Sequence, residues 1–300
     1  MHARAAGLTR PYRAYKLRAV PPPGANPLIY PEFNPIAFEI GPIQVRWYGL
    51  MYLLGFLVGW LGARYRAKRA DSPIAPVQVD DLIFYTAFGV IAGGRIGYML
   101  FYNLGGFLEN PLSIFAIWQG GMSFHGGLIG VIVAMWLFAR KVRRPFFAIA
   151  DFVAPWITPG LGFGRIGNYI NGELWGVETD PNAPWAVIVD GVARHPSQLY
   201  EAFLEGLVMF VVLFAFSMRP RPIMAASGLF LLLYGVFRFA VEFVRMPDDG
   251  VYIAFDWLTR GQVLSAPMIV LGIAFLVIAY RRREYVAPKA PDAAPAEDGR

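Results

Sequence analysis

The sequence predicts an all-α, polytopic integral membrane protein with about seven transmembrane helices. Of its 300 residues, 56% are hydrophobic and only 16% are charged, and the mean hydropathy is +0.45. Soluble domains usually carry about 25% charged residues. Seven apolar stretches are long enough to cross about 30 Å of hydrocarbon, and clusters of basic residues follow every second stretch. These three observations together indicate a helical bundle embedded in a membrane.

The predicted spans have similar lengths and are separated by short loops. Each contains roughly the 20 residues that a helix needs to cross the bilayer. Pro155 and Pro159 lie inside the fourth span and predict a kink there, because proline removes a helical hydrogen bond. The spans cover residues 45–63, 82–102, 122–140, 146–166, 198–217, 224–244 and 262–280.

The distribution of Lys and Arg predicts how the spans are oriented. Basic residues cluster after the first, third, fifth and seventh spans, whereas the alternate loops are nearly free of them. Cytoplasmic loops carry the excess of positive charge, so we expect the N-terminus outside and the C-terminus in the cytoplasm. The basic N-terminal tail is discordant, because it would have to be translocated. The clustered residues are Arg64, Arg66, Lys68, Arg69, Arg140, Lys141, Arg143, Arg144, Arg219, Arg221, Arg281, Arg282 and Arg283.

Composition also divides the chain and excludes several kinds of site. Residues 1–31 are basic and Pro-rich and 284–300 are rich in Ala, Pro and acidic residues, so we expect disordered tails around a transmembrane domain at 32–283. The chain has no cysteine, which excludes disulfides and a thiol nucleophile of its own. A dinucleotide-like glycine pattern at 162–167 lacks a βαβ context, and no metal-binding motif occurs. The basic residues orient the spans, so nucleic-acid binding is not expected.

Ionisable residues in five spans fall in the predicted outer half of the membrane, and such residues mark functional sites. With a rise of about 1.5 Å per residue, Arg95 and His125 each lie about 22 Å from the cytoplasmic ends of their helices. Transporters usually place polar groups near the midplane. Arginines at headgroup depth instead suit an anionic lipid, because guanidinium presents paired donors to phosphate. The residues concerned are Arg95, His125, Arg165, Glu201, Glu205, Arg238, Glu242 and Arg245.

Each of these residues also has a structural interpretation that the sequence leaves open. Arg95 stands between glycines that favour close helix packing, so it either contacts a ligand or bonds to neighbouring helices. His125 is either a proton acceptor or a hydrogen-bonded structural group. Tyr234, Arg238, Glu242 and Arg245 share one helix face, which either binds a ligand or pairs internally. For His195, close to a helix start at Ser197, we favour a structural role.

Several segments resemble bacterial prolipoprotein diacylglyceryl transferases. The strongest signature is Gly-Arg-Ile-Gly-Asn-Tyr-Ile-Asn-Gly-Glu-Leu-Trp-Gly at 164–176. The likeness covers about 32–283 in order and spacing. Its other motifs lie at 46–52, 93–103, 120–127, 194–201, 237–238 and 242–245.

The resemblance implies the activity, the partners and the location. Members of this family transfer the sn-1,2-diacylglyceryl group of phosphatidylglycerol to the lipobox cysteine of a prolipoprotein signal peptide. They form a thioether and release glycerol-1-phosphate, the first step of lipoprotein maturation. The implied location is the bacterial inner membrane, with the active site toward the outer leaflet, and no cofactor is expected. The reactive sulfur belongs to the substrate, which fits a chain without cysteine.

The resemblance also implies roles for individual residues. His125 is the family's candidate base, Arg165 is expected to grip the phosphate, and Arg238 with Arg245 is expected to stabilise the leaving phosphate or steer the glyceryl carbon. The division of proton removal and phosphate stabilisation among them stays open. The remaining substrate-binding positions are Asn168, Gly176, Glu242, Tyr48, Tyr234, Arg95 and Glu173.

Two other functions stay open on the sequence alone. A multi-span transporter or flippase for an anionic lipid or solute would use the same arginines. A receptor or scaffold would tolerate the loss of Arg165 or Arg238 without losing any chemistry.

Overall fold

The computed structural model describes residues 28–41, 43–247, 253–255 and 257–287, and these residues are mostly helical. They divide into two compact units. Within the described part, the first comprises residues 28–59, 154–219 and 225–282, and the second comprises 60–153, 220–224 and 283–287. Of the two tails expected to be disordered, residues 1–27 and 288–300 lie outside the described part.

Nine α-helices and three other helical segments occur in the described residues. A π-helical segment, Ala202–Val208, joins α6 to α7, and short 3-10 turns cover Pro111–Phe115 and Ile117–Gln119. The helices are α1 (Trp47–Ala67), α2 (Gln78–Phe101), α3 (Leu104–Glu109), α4 (Phe124–Lys141), α5 (Phe146–Ile170), α6 (Ser197–Glu201), α7 (Met209–Ser217), α8 (Ala225–Val241) and α9 (Arg260–Arg282).

The predicted spans all coincide with helices. Five helical stretches are long and apolar enough to cross a membrane, namely α2, α4, α5, the continuous Ser197–Ser217 helix and α9. Helix α8 is apolar but shorter, and α1 is not among the five. A helical chain with several membrane spans is therefore confirmed, while the count of seven crossings stays a prediction. Helix α5 continues through Pro155 and Pro159 as one helix.

Short strands occur that the all-α prediction did not include. Strand β1 (Leu28–Ile29) runs parallel to β4 (Val187–Val189), which pairs antiparallel with β5 (Val192–Arg194). Strands β2 (Ile36–Ile40) and β3 (Ile43–Arg46) form a hairpin. Residues 28–29 therefore belong to a sheet and not to a disordered tail. Asp190 and Gly191, between β4 and β5, have φ of 51° and 74°, the left-handed geometry that Asp-Gly hairpin turns require.

Helices in each unit approach closely through glycines. In the second unit, a Cβ added to Gly97 of α2 would lie 2.8 Å from the Cα of Gly126 in α4. In the first unit, a Cβ on Gly206 would lie 2.6 Å from the Cα of Gly162 in α5. Backbones in direct contact are typical of membrane helix pairs. No hydrophobic driving force acts between helices in lipid, so the close packing that small residues allow holds the helices together. The Gly162–Gly206 contact brings α5 and the π-helical segment together next to Arg165.

Candidate active site

Six buried or half-buried charged side chains form one cluster in the first unit. They come from α5, the continuous α6–π–α7 helix, α8 and the turn that follows α8. Three are guanidinium groups and three are carboxylates, so the formal charges of +3 and −3 sum to zero. We call this set the charge cluster, and its members are Arg165, Arg238, Arg245, Glu201, Glu205 and Glu242.

Glu201 is the hub of the charge cluster. Its Oε2 lies 2.6 Å from Nε of Arg165, and its Oε1 lies 2.9 Å from Nη1 of Arg238 and 3.1 Å from Nη1 of Arg245. The Glu201 side chain is only 1% exposed. A buried carboxylate is stable only when it is paired, and here three cations share it. One side chain thus fixes the relative positions of three arginines.

Glu242 is the second carboxylate that holds the arginines. Its Oε1 lies 2.5 Å from Nη2 of Arg238 and 3.7 Å from Nε of Arg245. The Thr259 hydroxyl donates a hydrogen bond to its Oε2. Thr259 also forms a reciprocal capping box with Gln262: each backbone N–H donates to the other's side chain, at 2.9 and 3.1 Å. The start of α9 is therefore connected directly to the charge cluster.

The turn after α8 places Glu242 and Arg245. Helix α8 ends at Val241, earlier than the predicted boundary at residue 244. Glu242, like Arg245, therefore lies outside the helix proper. Backbone hydrogen bonds of helical spacing nevertheless continue: the Glu242 N–H donates to Arg238 O at 3.2 Å, and the Arg245 N–H donates to Val241 O at 3.0 Å. Their side chains therefore still converge on the face of α8 that carries Arg238.

Gly176 supports the other side of Arg245. The two residues form an antiparallel bridge, and the Gly176 N–H donates to His195 O at 2.9 Å. A Cβ on Gly176 would lie 2.7 Å from the His195 Cβ and would clash with the Val244 carbonyl. Gly176 is thus required for close backbone packing next to Arg245.

Glu205 is fully buried one turn after Glu201. Its Oε2 lies 3.9 Å from Nη2 of Arg165, and neither of its oxygens accepts a hydrogen bond from the described residues. It lies in the π-helical segment, a geometry frequent at functional sites. Tyr234, one turn before Arg238, is within electrostatic range of Glu205 and Arg165.

The signature segment adds a polar group at the end of α5. The Asn168 side-chain amide donates to Oε2 of Glu173 at 3.2 Å, and the Glu173 N–H donates to Asn168 O at 2.9 Å. The Gln198 side chain donates to Glu173 O, which connects this turn to α6. Tyr48 packs on Gly167, where a Cβ would lie 2.8 Å from its ring. Asn168 lies one turn after Arg165 along α5, and these contacts join the end of that helix to Glu173, Gln198 and Tyr48.

Arg95 has a structural set of partners in the second unit. Its guanidinium donates to the backbone carbonyls of Ser113 at 2.6 Å, Ile114 at 3.0 Å and Gly121 at 3.2 Å, and also to Gly120 O. It is 4% exposed. Of the two interpretations that the sequence left open for Arg95, this geometry favours the structural one.

His125 also belongs to the second unit. It is the second residue of α4 and is exposed, with its ring in edge-to-face contact with Phe124 at 5.6 Å. Ser123 caps the helix, because its hydroxyl accepts a hydrogen bond from the Gly126 N–H at 3.2 Å. A catalytic role for His125 stays a prediction.

His195 has the structural environment that the sequence favours. Its Nδ1 lies 3.2 Å from the Tyr200 hydroxyl, and its ring stacks on Trp185 with centroids 6.5 Å apart. Its carbonyl accepts the Gly176 N–H, and partial burial lowers the pKa of its imidazole. His195 therefore supports the backbone next to the charge cluster.

Three residues of the site were not among the predicted site residues. Glu201 and Glu205 were noted as ionisable residues of the fifth predicted span, but their role as partners of the arginines was not recognised. The signal was their i, i+4 spacing in an apolar helix, which puts both carboxylates on one face. Thr259 could have been found from the Thr-x-x-Gln pattern that opens α9.

Comparison with known proteins identifies the family. The family model described as "prolipoprotein diacylglyceryl transferase" matches residues 35–278. A Methylococcus capsulatus protein named phosphatidylglycerol–prolipoprotein diacylglyceryl transferase is 57% identical over 261 residues, covering 85% of this chain and 99% of its own. Proteins of the same name from Oleidesulfovibrio alaskensis (55% over 264 residues, 87% and 98%) and Stenotrophomonas maltophilia (52% over 295 residues, 89% and 98%) are also similar.

These matches support the transferase and give the transporter alternative no support. They extend over nearly the full length of each relative, and the matched region includes the whole charge cluster and the signature at 164–176. Together with the apolar helices, they make this a multi-pass membrane protein. The chain belongs to the prolipoprotein diacylglyceryl transferase family.

Proposed function

We propose that this protein transfers the sn-1,2-diacylglyceryl group of phosphatidylglycerol to the lipobox cysteine of a prolipoprotein. The cysteine sulfur attacks the glyceryl carbon, a C–S bond forms and the C–O bond to phosphate breaks. The thiol gives up its proton to a base, for which His125 is the candidate, and the electron pair of the broken bond leaves with glycerol-1-phosphate. The transmembrane domain at 32–283 carries out this reaction.

The convergence of three guanidinium groups in the charge cluster is the observation that carries the proposal. Guanidinium groups bind phosphate through paired, charge-assisted hydrogen bonds. They are held in place by carboxylates before the ligand arrives, so little reorganisation is needed when negative charge develops on the leaving phosphate. Arg165, Arg238 and Arg245 bind the phosphate in this proposal. Asn168, Glu173, Tyr48 and Tyr234 orient the headgroup, Glu242 holds the arginines and Gly176 sets the backbone next to Arg245.

An apolar groove along α8 and α9 supports entry of the substrates from the bilayer. Its volume is about 710 Å³. Gln262 lines the groove and also caps Thr259, which bonds to Glu242, so the groove lies next to the charge cluster. A lipid whose acyl chains occupy this groove can present its phosphate to the arginines. The other lining residues are Phe239, Leu258, Val263, Ala266, Pro267, Val270 and Leu271.

We place the protein in the bacterial inner membrane with its C-terminus in the cytoplasm and the charge cluster toward the outer leaflet. Basic residues in the last turns of three helices support this orientation. They are Arg64 and Arg66 in α1, Arg140 and Lys141 in α4, and Arg281 and Arg282 in α9.

The function is tested by incubating the purified protein with phosphatidylglycerol and a lipobox peptide. The proposed reaction adds one diacylglyceryl group to the cysteine, which mass spectrometry detects. A matched peptide with serine in place of the cysteine should gain no mass. Movement of an anionic lipid or solute across vesicles without any adduct would refute the proposal.

We predict that His125→Asn slows transfer and that the loss is partly recovered at high pH. A thiol has a pKa near 8.5, so a larger fraction is already thiolate at high pH and needs no base. The contribution of a general base is typically about 10²–10⁴-fold. The measurement is the single-turnover rate against pH. A retained rate with an unchanged pH profile would instead assign His125 a structural role.

A further inference from the structure

The loop that follows α2 exposes large apolar side chains outside any spanning helix. Residues 102–123 contain one charged residue, Glu109, and no Lys or Arg. Trp118 is 79% exposed and Phe115 is 71% exposed. Exposed apolar patches of this kind mark interaction surfaces. The other strongly exposed apolar residues of the loop and its two flanks are Phe101, Tyr102, Leu108, Leu112 and Phe124.

Arg95 connects the two sides of this loop through hydrogen bonds to its backbone. Its guanidinium donates to carbonyls on both sides of the exposed turn, at Ser113 and Ile114 and at Gly120 and Gly121. Within the turn, the Ala116 N–H donates to Ser113 O at 3.1 Å, and the Gly120 N–H donates to Ile117 O at 3.2 Å. Irregular backbone can leave water only when its polar groups are satisfied internally. In this loop the carbonyls of Ser113, Ile114, Ile117, Gly120 and Gly121, which flank Phe115 and Trp118, are satisfied in this way.

The surroundings of the loop indicate a lipid surface as its partner. Helix α2 is long and apolar enough to cross a membrane and ends at Phe101, so the loop begins where a span ends. Trp and Tyr are enriched at this depth, and short helices with apolar faces lie in the plane of the interface. We propose that the loop 102–123 inserts its apolar side chains into the boundary between lipid headgroups and acyl chains. Arg95 is the positioning residue that holds it there.

Immersion of the loop fixes the level at which α4 begins. The Ser123 N–H donates to Gly94 O at 2.9 Å, immediately before Arg95, and the Ser123 hydroxyl caps α4. His125 follows two residues later. The lipid-bound loop thus sets the depth of His125 in the membrane.

The absence of cysteine from the chain makes a direct test clean. Phe115→Cys, Trp118→Cys and Glu109→Cys variants are spin-labelled singly and placed in vesicles of phosphatidylglycerol and phosphatidylethanolamine. Collisions with oxygen, which concentrates in lipid, are compared with collisions with a water-soluble nickel chelate. We expect a severalfold higher oxygen-to-nickel ratio at 115 and 118 than at the matched polar position 109. Equal ratios at the three positions would overturn the proposal.

A second arm tests Arg95 and a competing partner. Introducing Arg95→Gln into the Trp118→Cys protein should increase the mobility of the label and lower its oxygen-to-nickel ratio, whereas an unchanged spectrum would remove the positioning role. If this variant does not fold, the depth measurements with Arg95 intact still decide the lipid contact. Labels that stay in water in vesicles and become protected only when a lipobox peptide is added would assign the surface to the peptide and overturn the lipid proposal.

Discussion

Arg238→Ala is expected to abolish diacylglyceryl transfer, with a rate loss on the order of 10³-fold. Arg238 bridges Glu201 at 2.9 Å and Glu242 at 2.5 Å, so its fork is fixed at the centre of the charge cluster. Truncation removes a guanidinium group that donates hydrogen bonds to the phosphate. It also removes the ion pairs that connect Glu201 with Glu242. The measurement is the single-turnover yield of lipidated peptide. Arg165→Ala should behave similarly, since Arg165 contributes its guanidinium group to the charge cluster from α5.

Two control variants separate chemistry from folding. Arg238→Lys keeps the charge but loses the paired geometry, so we expect partial activity from a well-folded protein. Arg64→Ala removes an exposed arginine that pairs with Asp80 at 3.3 Å, and surface pairs of this kind contribute only about 0–1 kcal/mol. Its transfer rate should match that of the unmodified protein. Full activity of a folded Arg238→Ala protein would contradict the phosphate-binding role.

Glu201→Gln is expected to lower kcat on the order of 10²-fold without raising KM for phosphatidylglycerol. Glutamine retains the shape of the side chain but no longer attracts three guanidinium groups, so the arginines lose their common anchor. Misplacement by about 1 Å is enough for a loss of this size. The formal charge of the cluster rises from zero to +1, which favours the anionic lipid in the ground state. Steady-state kinetics over a range of lipid concentrations separates the two effects.

Glu205→Gln is the matched control for this prediction. It makes the same substitution at a buried position one turn later in the same helix, but among the described residues Glu205 has a single ion pair, at 3.9 Å from Arg165. We expect a clearly smaller loss of kcat than for Glu201→Gln. Equal losses in the two variants would show that burial of charge, and not the hub geometry, decides the effect.

Much of the helical architecture follows from hydropathy alone. Apolar runs placed the seven predicted spans within a few residues of helical segments, because a membrane helix satisfies its own backbone and needs little tertiary information. The short strands were missed, since β1 depends on pairing with β4, almost 160 residues away in sequence. The Asp190–Gly191 turn did carry a local signal. The predicted end of α8, at residue 244, lies beyond the observed end at Val241. Backbone hydrogen bonds of helical spacing continue through the turn that follows.

Residue types and spacing singled out the arginines of the candidate site but not how they are arranged. Arg165, Arg238 and Arg245 were predicted to bind phosphate, and the structure brings them together around Glu201. Which carboxylate pairs with which arginine depends on how α5, α6 and α8 pack, and a single sequence does not contain that information. The partners of Arg95 could not be predicted either, because they are backbone carbonyls, which every residue type has.

The balanced charges around Glu201 have a consequence for the end of the catalytic cycle. The lipid enters as a phosphodiester with one negative charge, but the departing phosphomonoester carries about 1.5 to 2 negative charges at pH 7. The three resident carboxylates offset the three guanidinium groups, so the cluster has no net positive charge with which to retain this dianion. The same acidic groups that keep the arginines in place therefore limit how tightly glycerol phosphate is held, which favours its release before the next turnover.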